Sequence, residues 1–168
     1  MRALVSGSTT MFPAVIHTNV SAHVGFVSPS FKVGSSGRHS VSALWRLDWY
    51  AYANTSCVRK QCQASVAGWV FGYLEDTTTN TSYYGSHSAR TFLNLTGNSI
   101  VHKEATNQSV SVAAYLTAGD VYVFVTYVNA TAFAATLIPS SGNTETSDAT
   151  FNMDLNSEGG LLLSVTVV

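Results

Sequence analysis

The sequence predicts an all-β protein: an antiparallel β-sandwich of jelly-roll or immunoglobulin-like type, with about 9–11 strands. Three observations carry this. Apolar and polar residues alternate with a period of two in segment after segment, while a helical period is almost absent. Gly, Asn, Ser and Asp clusters punctuate the chain at even spacing. With 168 residues, three prolines and neither a repeat nor a linker, the whole chain, 1–168, reads as one domain large enough to bury a core.

The elements follow in order. β-Branched and aromatic runs place short strands at 13–17 (PAVIH) and 23–27 (HVGFV). Two long alternating stretches, 41–54 and 64–75, carry most of the large apolar residues. Further strands fall at 91–95, 100–104, 109–116, 120–128, 132–138, 149–155 and 161–167. Turns are expected at Gly34-Ser-Ser-Gly37, Thr96-Gly-Asn98, Ala118-Gly-Asp120, Ser140-Ser-Gly-Asn143 and Asn156-Ser-Glu-Gly-Gly160.

Composition narrows the function. Charged residues make up 10% of the chain, against about 25% in ordinary soluble domains. The polar remainder is Ser, Thr, Asn and Gly, a surface wetted by hydroxyls and amides. A net charge of −1 gives no attraction to nucleic acid or to an anionic membrane. Hydrophobic content is 46%, but no run approaches the roughly 18 apolar residues of a membrane-spanning helix. The opening residues, MRALVSGSTTMF, lack the apolar core of a signal peptide.

The only cysteines, Cys57 and Cys62, stand in a Cys-x4-Cys arrangement. That spacing suits neither a thioredoxin-like redox pair nor a zinc site. A disulfide stapling the tip of a hairpin is expected, worth about 2 kcal/mol for so short a loop. The implied ladder pairs Trp45 with Leu74, Leu47 with Gly72, Trp49 with Val70, Ala51 with Gly68 and Ala53 with Val66. Every member of that face is apolar or glycine, as a core face should be. The opposite face would bring Arg46, Asp48, Tyr50, Tyr52, Trp69, Phe71 and Tyr73 into one aromatic band. Such a band fits a surface covered by the chain itself, a protein–protein contact, or a platform on which rings stack against sugars.

Six Asn-x-Ser/Thr sequons occur among ten asparagines: Asn19, Asn54, Asn80, Asn94, Asn107 and Asn129. With Ser and Thr at about a quarter of the chain, chance would supply two or three. Surplus sequons and a disulfide together point to a secreted or cell-surface glycoprotein in an oxidising compartment. Catalysis finds little support, although two carboxylates far apart in the chain could still form a glycosidase pair in three dimensions. His17, His23, His39, His87 and His102 lie in separate segments, and neither a nucleophile elbow nor a phosphate loop is present. Glu75 and Asp76 read as solvated turn carboxylates rather than calcium ligands. No enzyme activity, metal or cofactor is expected.

The stretch YLTAGDVYVFVTYVNATAFAATL, Tyr115 to Leu137, resembles the closing strands of many extracellular β-sandwich domains, in which an L-x-A-G-x-Y turn leads into a long aromatic strand. The Thr/Asn-rich, charge-poor texture is similar to that of archaeal cell-surface proteins. The resemblance implies a sandwich fold and a surface setting, and no site residues. The expected function is an extracellular structural or adhesive protein, a self-assembling subunit of a filament or surface layer, partnered by copies of itself or by other surface proteins. The alternative is a carbohydrate-binding module of a secreted protein, with glycans as partners. In a filament, the N-terminal segment would join a neighbour's sheet; otherwise both ends would pair within the domain's own sheets.

Overall fold

The computed structural model describes residues 3–11, 16–56, 62–136, 145–153 and 160–168. They form ten strands: β1 (Ala3–Met11), β2 (Ile16–Val27), β3 (Gly37–Ser56), β4 (Cys62–Asp76), β5 (Thr81–Tyr83), β6 (Ala89–Thr96), β7 (Ser99–Leu116), β8 (Tyr122–Thr136), β9 (Glu145–Met153) and β10 (Gly160–Val167). Every pairing is antiparallel, and the strands divide into two five-stranded sheets with open edges.

Each sheet is organised about one long strand. β3 pairs with β7 along one edge, and along the other with β10 over 41–47 and then β9 over 50–56; β1 extends this sheet beyond β9. β4 pairs with β8 along one edge, and along the other with β6 over 65–71 and β5 over 74–76; β2 lies outside β8. The two sheets are called here the β3 sheet and the β4 sheet.

The expected β3–β4 hairpin does not exist. Trp45 lies opposite Gln108 of β7 and Leu162 of β10, whereas Leu74 lies opposite Phe124 of β8 and Tyr83 of β5. The chain crosses from one sheet to the other between β3 and β4, so the two strands meet through their inner faces. Their inward residues are those the alternation assigns: Trp45, Leu47, Trp49, Val66, Val70 and Leu74 are all buried. A period of two fixes which side of a strand faces the core, not whether its partner lies beside it or across from it.

Other differences have local causes. The expected strands 100–104 and 109–116 are one strand, β7, broken only by an extra residue opposite Asp48, where the register slips between Leu47 and Trp49. This β-bulge explains why the alternation falters there. Segments 120–128 and 132–138 likewise merge into β8 as far as Thr136, because Asn129 and Thr131, which look like a break, lie on the outer side of an unbroken ladder; 137 and 138 lie outside the described residues. β1 and the three-residue β5 were not expected. Both terminal strands pair within the domain, β1 with β9 and β10 with β3, so no neighbour is needed to hold them.

Rings fill the core and glycines admit them. Trp49, Phe92 and Phe151 form a cluster with centroids 5.8–6.3 Å apart. A Cβ built on Gly68 would stand 2.6 Å from the Phe92 ring, and one on Gly72 2.8 Å from Phe124. A polar thread crosses the interior. The Trp45 indole N–H donates to Thr126 Oγ1 at 2.9 Å, and the Thr126 hydroxyl donates to the Phe71 carbonyl at 3.0 Å. It links a β3 side chain to the centre of the opposite sheet and satisfies a hydroxyl with no exposed surface.

At the end of β4, Asp76 is buried rather than solvated as expected; its carboxylate accepts the Thr78 and Thr79 amides at 2.8 and 3.2 Å. This Asx turn leads to Asn80, which holds a positive φ of 55°.

Gly68→Ala should destabilise the domain by about 1–3 kcal/mol, because the Phe92 ring must leave a packed position. Gly34→Ala, where a Cβ meets nothing within 4 Å, should be neutral or slightly stabilising. Urea unfolding of the two variants beside wild type measures the contrast.

Candidate functional site

The two outer faces differ in chemistry. On the β3 sheet the outward side chains of β3 include Ser40, Ser42, Arg46, Asp48, Tyr50, Tyr52 and Asn54, beside Asn107, Ser109 and Ser111 of β7. On the β4 sheet the outward rows are aromatic at one end. Val27, Val125 and Tyr73 form one row; Gly25, Tyr127 and Phe71 form the next; His23, Asn129 and Trp69 form the third.

The seven residues expected to form one band are therefore split. Arg46, Asp48, Tyr50 and Tyr52 lie on the outside of the β3 sheet, and Trp69, Phe71 and Tyr73 on the outside of the β4 sheet, facing the other way. The split follows from the crossing between β3 and β4. The second group has been joined by residues that the sequence reading did not connect with it: Tyr84, Tyr127 and His23. Tyr127 sits on the strand neighbouring β4, and its alternation with Val125 and Asn129 was a usable signal. Tyr84, in the TSYYGS stretch just beyond β5, carried none.

The rings touch. Phe71 lies 5.1 Å from Tyr127 and 5.9 Å from Tyr84, and Tyr73 lies 5.5 Å from Tyr84, all tilted. His23 meets the edge of Tyr127 at 6.4 Å. Tyr84 is 62% exposed, so the cluster is open to solvent. Beside it a groove of about 400 Å³ runs along β2 and β8 between His23, Gly25, Val27, Val125, Tyr127 and Asn129. Gly25 keeps the floor of this groove low, since a Cβ there would stand 3.2 Å from Tyr127 Cβ.

Burial, with the Glu75 carboxylate next in importance, holds the Tyr73 hydroxyl above its ordinary value; burial, followed by Tyr84, does the same for Tyr127. No group of three or more His, Cys, Asp or Glu capable of holding a metal occurs among the described residues.

All six sequon asparagines lie outside the core. Asn19, Asn80, Asn94 and Asn107 are exposed, and Asn54 and Asn129 are half-buried. In the five sequons on strands, the asparagine and its hydroxyl residue two positions later share a face, as strand geometry requires. Cys57 lies outside the described residues, so its expected bridge to Cys62 is not described; Cys62, which opens β4, is not free.

A raised pKa means that the native state keeps a proton the unfolded chain releases. Tyr73 and Tyr127 therefore contribute stability that is complete below the ordinary tyrosine value near 10 and is lost as pH rises through their folded values. Alkaline spectrophotometric titration should show a late-ionising component that Tyr73→Phe and Tyr127→Phe each reduce.

No protein-family model, curated protein sequence or solved structure matches the chain, so the face itself is the ground for any functional reading.

Proposed function

We propose that this protein is an extracellular structural or adhesive β-sandwich that associates with copies of itself, or with other surface proteins, through the aromatic outer face of the β4 sheet. The observation that carries the reading is the ring cluster of Phe71, Tyr73, Tyr84 and Tyr127 on the outside of a sheet. Tyrosine and tryptophan are the side chains enriched in protein interfaces, since each buries a large area for few rotatable bonds. A chain with 10% charged residues and a net charge of −1 offers little repulsion between copies. The preferred partner is therefore a second copy, as in a surface layer or filament. No helix among the described residues is long and apolar enough to cross a membrane. The expected Cys57–Cys62 bridge and glycosylation of the sequons belong to the same reading, because the bridge needs an oxidising compartment and glycan transfer a secretory one.

One observation favours the second reading, carbohydrate recognition. The groove beside Tyr127 has a ring for a wall and polar groups, His23 and Asn129, at one end, which suits a sugar with one apolar face and several hydroxyls.

Tyr84→Ser and Phe71→Ser should each weaken self-association by about thirtyfold or more, the equivalent of losing one central aromatic anchor. Tyr84 is exposed, so its variant should keep the wild-type unfolding midpoint. Light scattering coupled to size exclusion across a concentration series reads the effect; wild-type protein that stays monomeric at every concentration removes the self-assembly reading.

Alkylation of native protein without reductant should leave Cys57 and Cys62 unmodified, and mass spectrometry should find the two peptides linked. Two alkylated thiols would end the disulfide reading.

A further inference from the structure

We infer that Asn129 carries an N-linked glycan whose first sugar lies in the groove between β2 and β8, stacked on the ring of Tyr127. The inference rests on the extracellular reading above and adds a site and an occupant to it.

Four features converge on Asn129. The run Tyr127-Val-Asn129-Ala-Thr131 lies on one unbroken strand, so ring, acceptor amide and sequon hydroxyl stand in line on the outer face. Successive members are about 7 Å apart, roughly the width of one sugar ring. The groove begins at Asn129 and runs past Tyr127 toward Val27, with Gly25 leaving room at its floor. Lastly, Asn129 Oδ1 is buried and accepts no hydrogen bond. Among the described residues, the other buried side-chain atoms without partners, Trp49 Nε1 and Gln108 Oε1, belong to residues on the inner face, whereas Asn129 stands on the outer one.

Tyr52 bears the same relation to Asn54, but Asn54 is near the end of β3, whereas Asn129 has paired strands on both sides. A sugar at Asn129 would stand between His23 on β2 and Trp69 on β4. It would fill the β2 side of the outer face and leave the ledge of Phe71, Tyr73 and Tyr84 clear for the contact proposed above.

The chemistry is transfer of an oligosaccharide from a lipid-phosphate donor by a membrane-bound transferase. The Asn129 Nδ2–C1 bond forms while the C1–O bond to phosphate breaks. The phosphate leaves with the bonding electrons, and the amide gives up one proton.

The test uses full-length protein purified from its own cells. Glycopeptide mass spectrometry should find the Asn129 peptide occupied. Thr131→Ala should abolish that glycan alone, and Thr131→Ser should restore it. In native wild-type protein, enzymatic removal of the Asn129 glycan should be about tenfold slower than removal from an exposed sequon such as Asn107, the factor expected of one stacked ring contact. Tyr127→Ser should abolish that protection. Gly25→Val, which keeps the ring but fills the groove, should abolish it as well and serves if the first variant fails to fold. A bare Asn129 beside occupied Asn80, Asn94 or Asn107 overturns this inference and leaves the extracellular reading standing. A glycan at Asn129 removed as fast as the others overturns the packed geometry. Bare peptides at all six sequons overturn this inference and the glycoprotein reading together. Binding of free oligosaccharide to protein with Asn129 bare would instead assign the groove to recognition.

Discussion

β3 and β4, consecutive in the chain, lie in different sheets, and most of the architecture depends on that change of sheet. Packed sheets lie about 10 Å apart, and the steps from Ser56 to Cys62 span at most roughly 20–22 Å, so the end of β3 and the start of β4 are held near each other. Each then recruits its own neighbours: β7, β9 and β10 gather on β3, and β5, β6 and β8 on β4. The crossing also sends the outward residues of β3 and β4 in opposite directions, which separates Tyr50 and Tyr52 from Phe71 and Tyr73.

Close approach of the inner faces is what the small residues make possible. Ala43, Ala51 and Ala53 on β3 and Ala130, Ala132 and Ala134 on β8 are buried, as are the two inward glycines of β4. The large rings therefore have pockets to enter instead of surfaces to collide with. The Trp45–Thr126–Phe71 thread adds direction to this non-directional packing, because it is satisfied in one registration of the two sheets.

With the inside closed in this way, function is left to the outside. The two outer faces belong to similar sheets but differ in arrangement: on the β3 sheet Tyr50 and Tyr52 stand among hydroxyls, amides and the Arg46 and Asp48 positions, whereas on the β4 sheet Phe71, Tyr73, Tyr84 and Tyr127 touch one another. Three of the six sequons, Asn19, Asn94 and Asn129, share a sheet with the ring cluster, away from its Phe71–Tyr84 end. One sheet thus offers a ring ledge for contact and an adjoining half suited to carrying sugar. The proposals for assembly and for the Asn129 glycan concern adjoining parts of one surface.

The sequence alone determined the all-β class and the inward sides of β3 and β4, because alternation is a local property that survives any choice of partner. Trp45, Leu47, Val66 and Leu74 were readable as core for that reason. So were the turns at Gly97 and Gly119, where the backbone adopts positive φ. Which strand lies beside which was decided only in three dimensions: a ladder neighbour and a facing sheet both complement an apolar face, so the match between β3 and β4 could not distinguish them. The aromatic site followed the same rule. Phe71 and Tyr73 were visible on β4, but Tyr127 and Tyr84 reach them from β8 and from beyond β5, more than ten residues away along the chain. Their meeting is a consequence of sheet order, which no local pattern of side chains encodes.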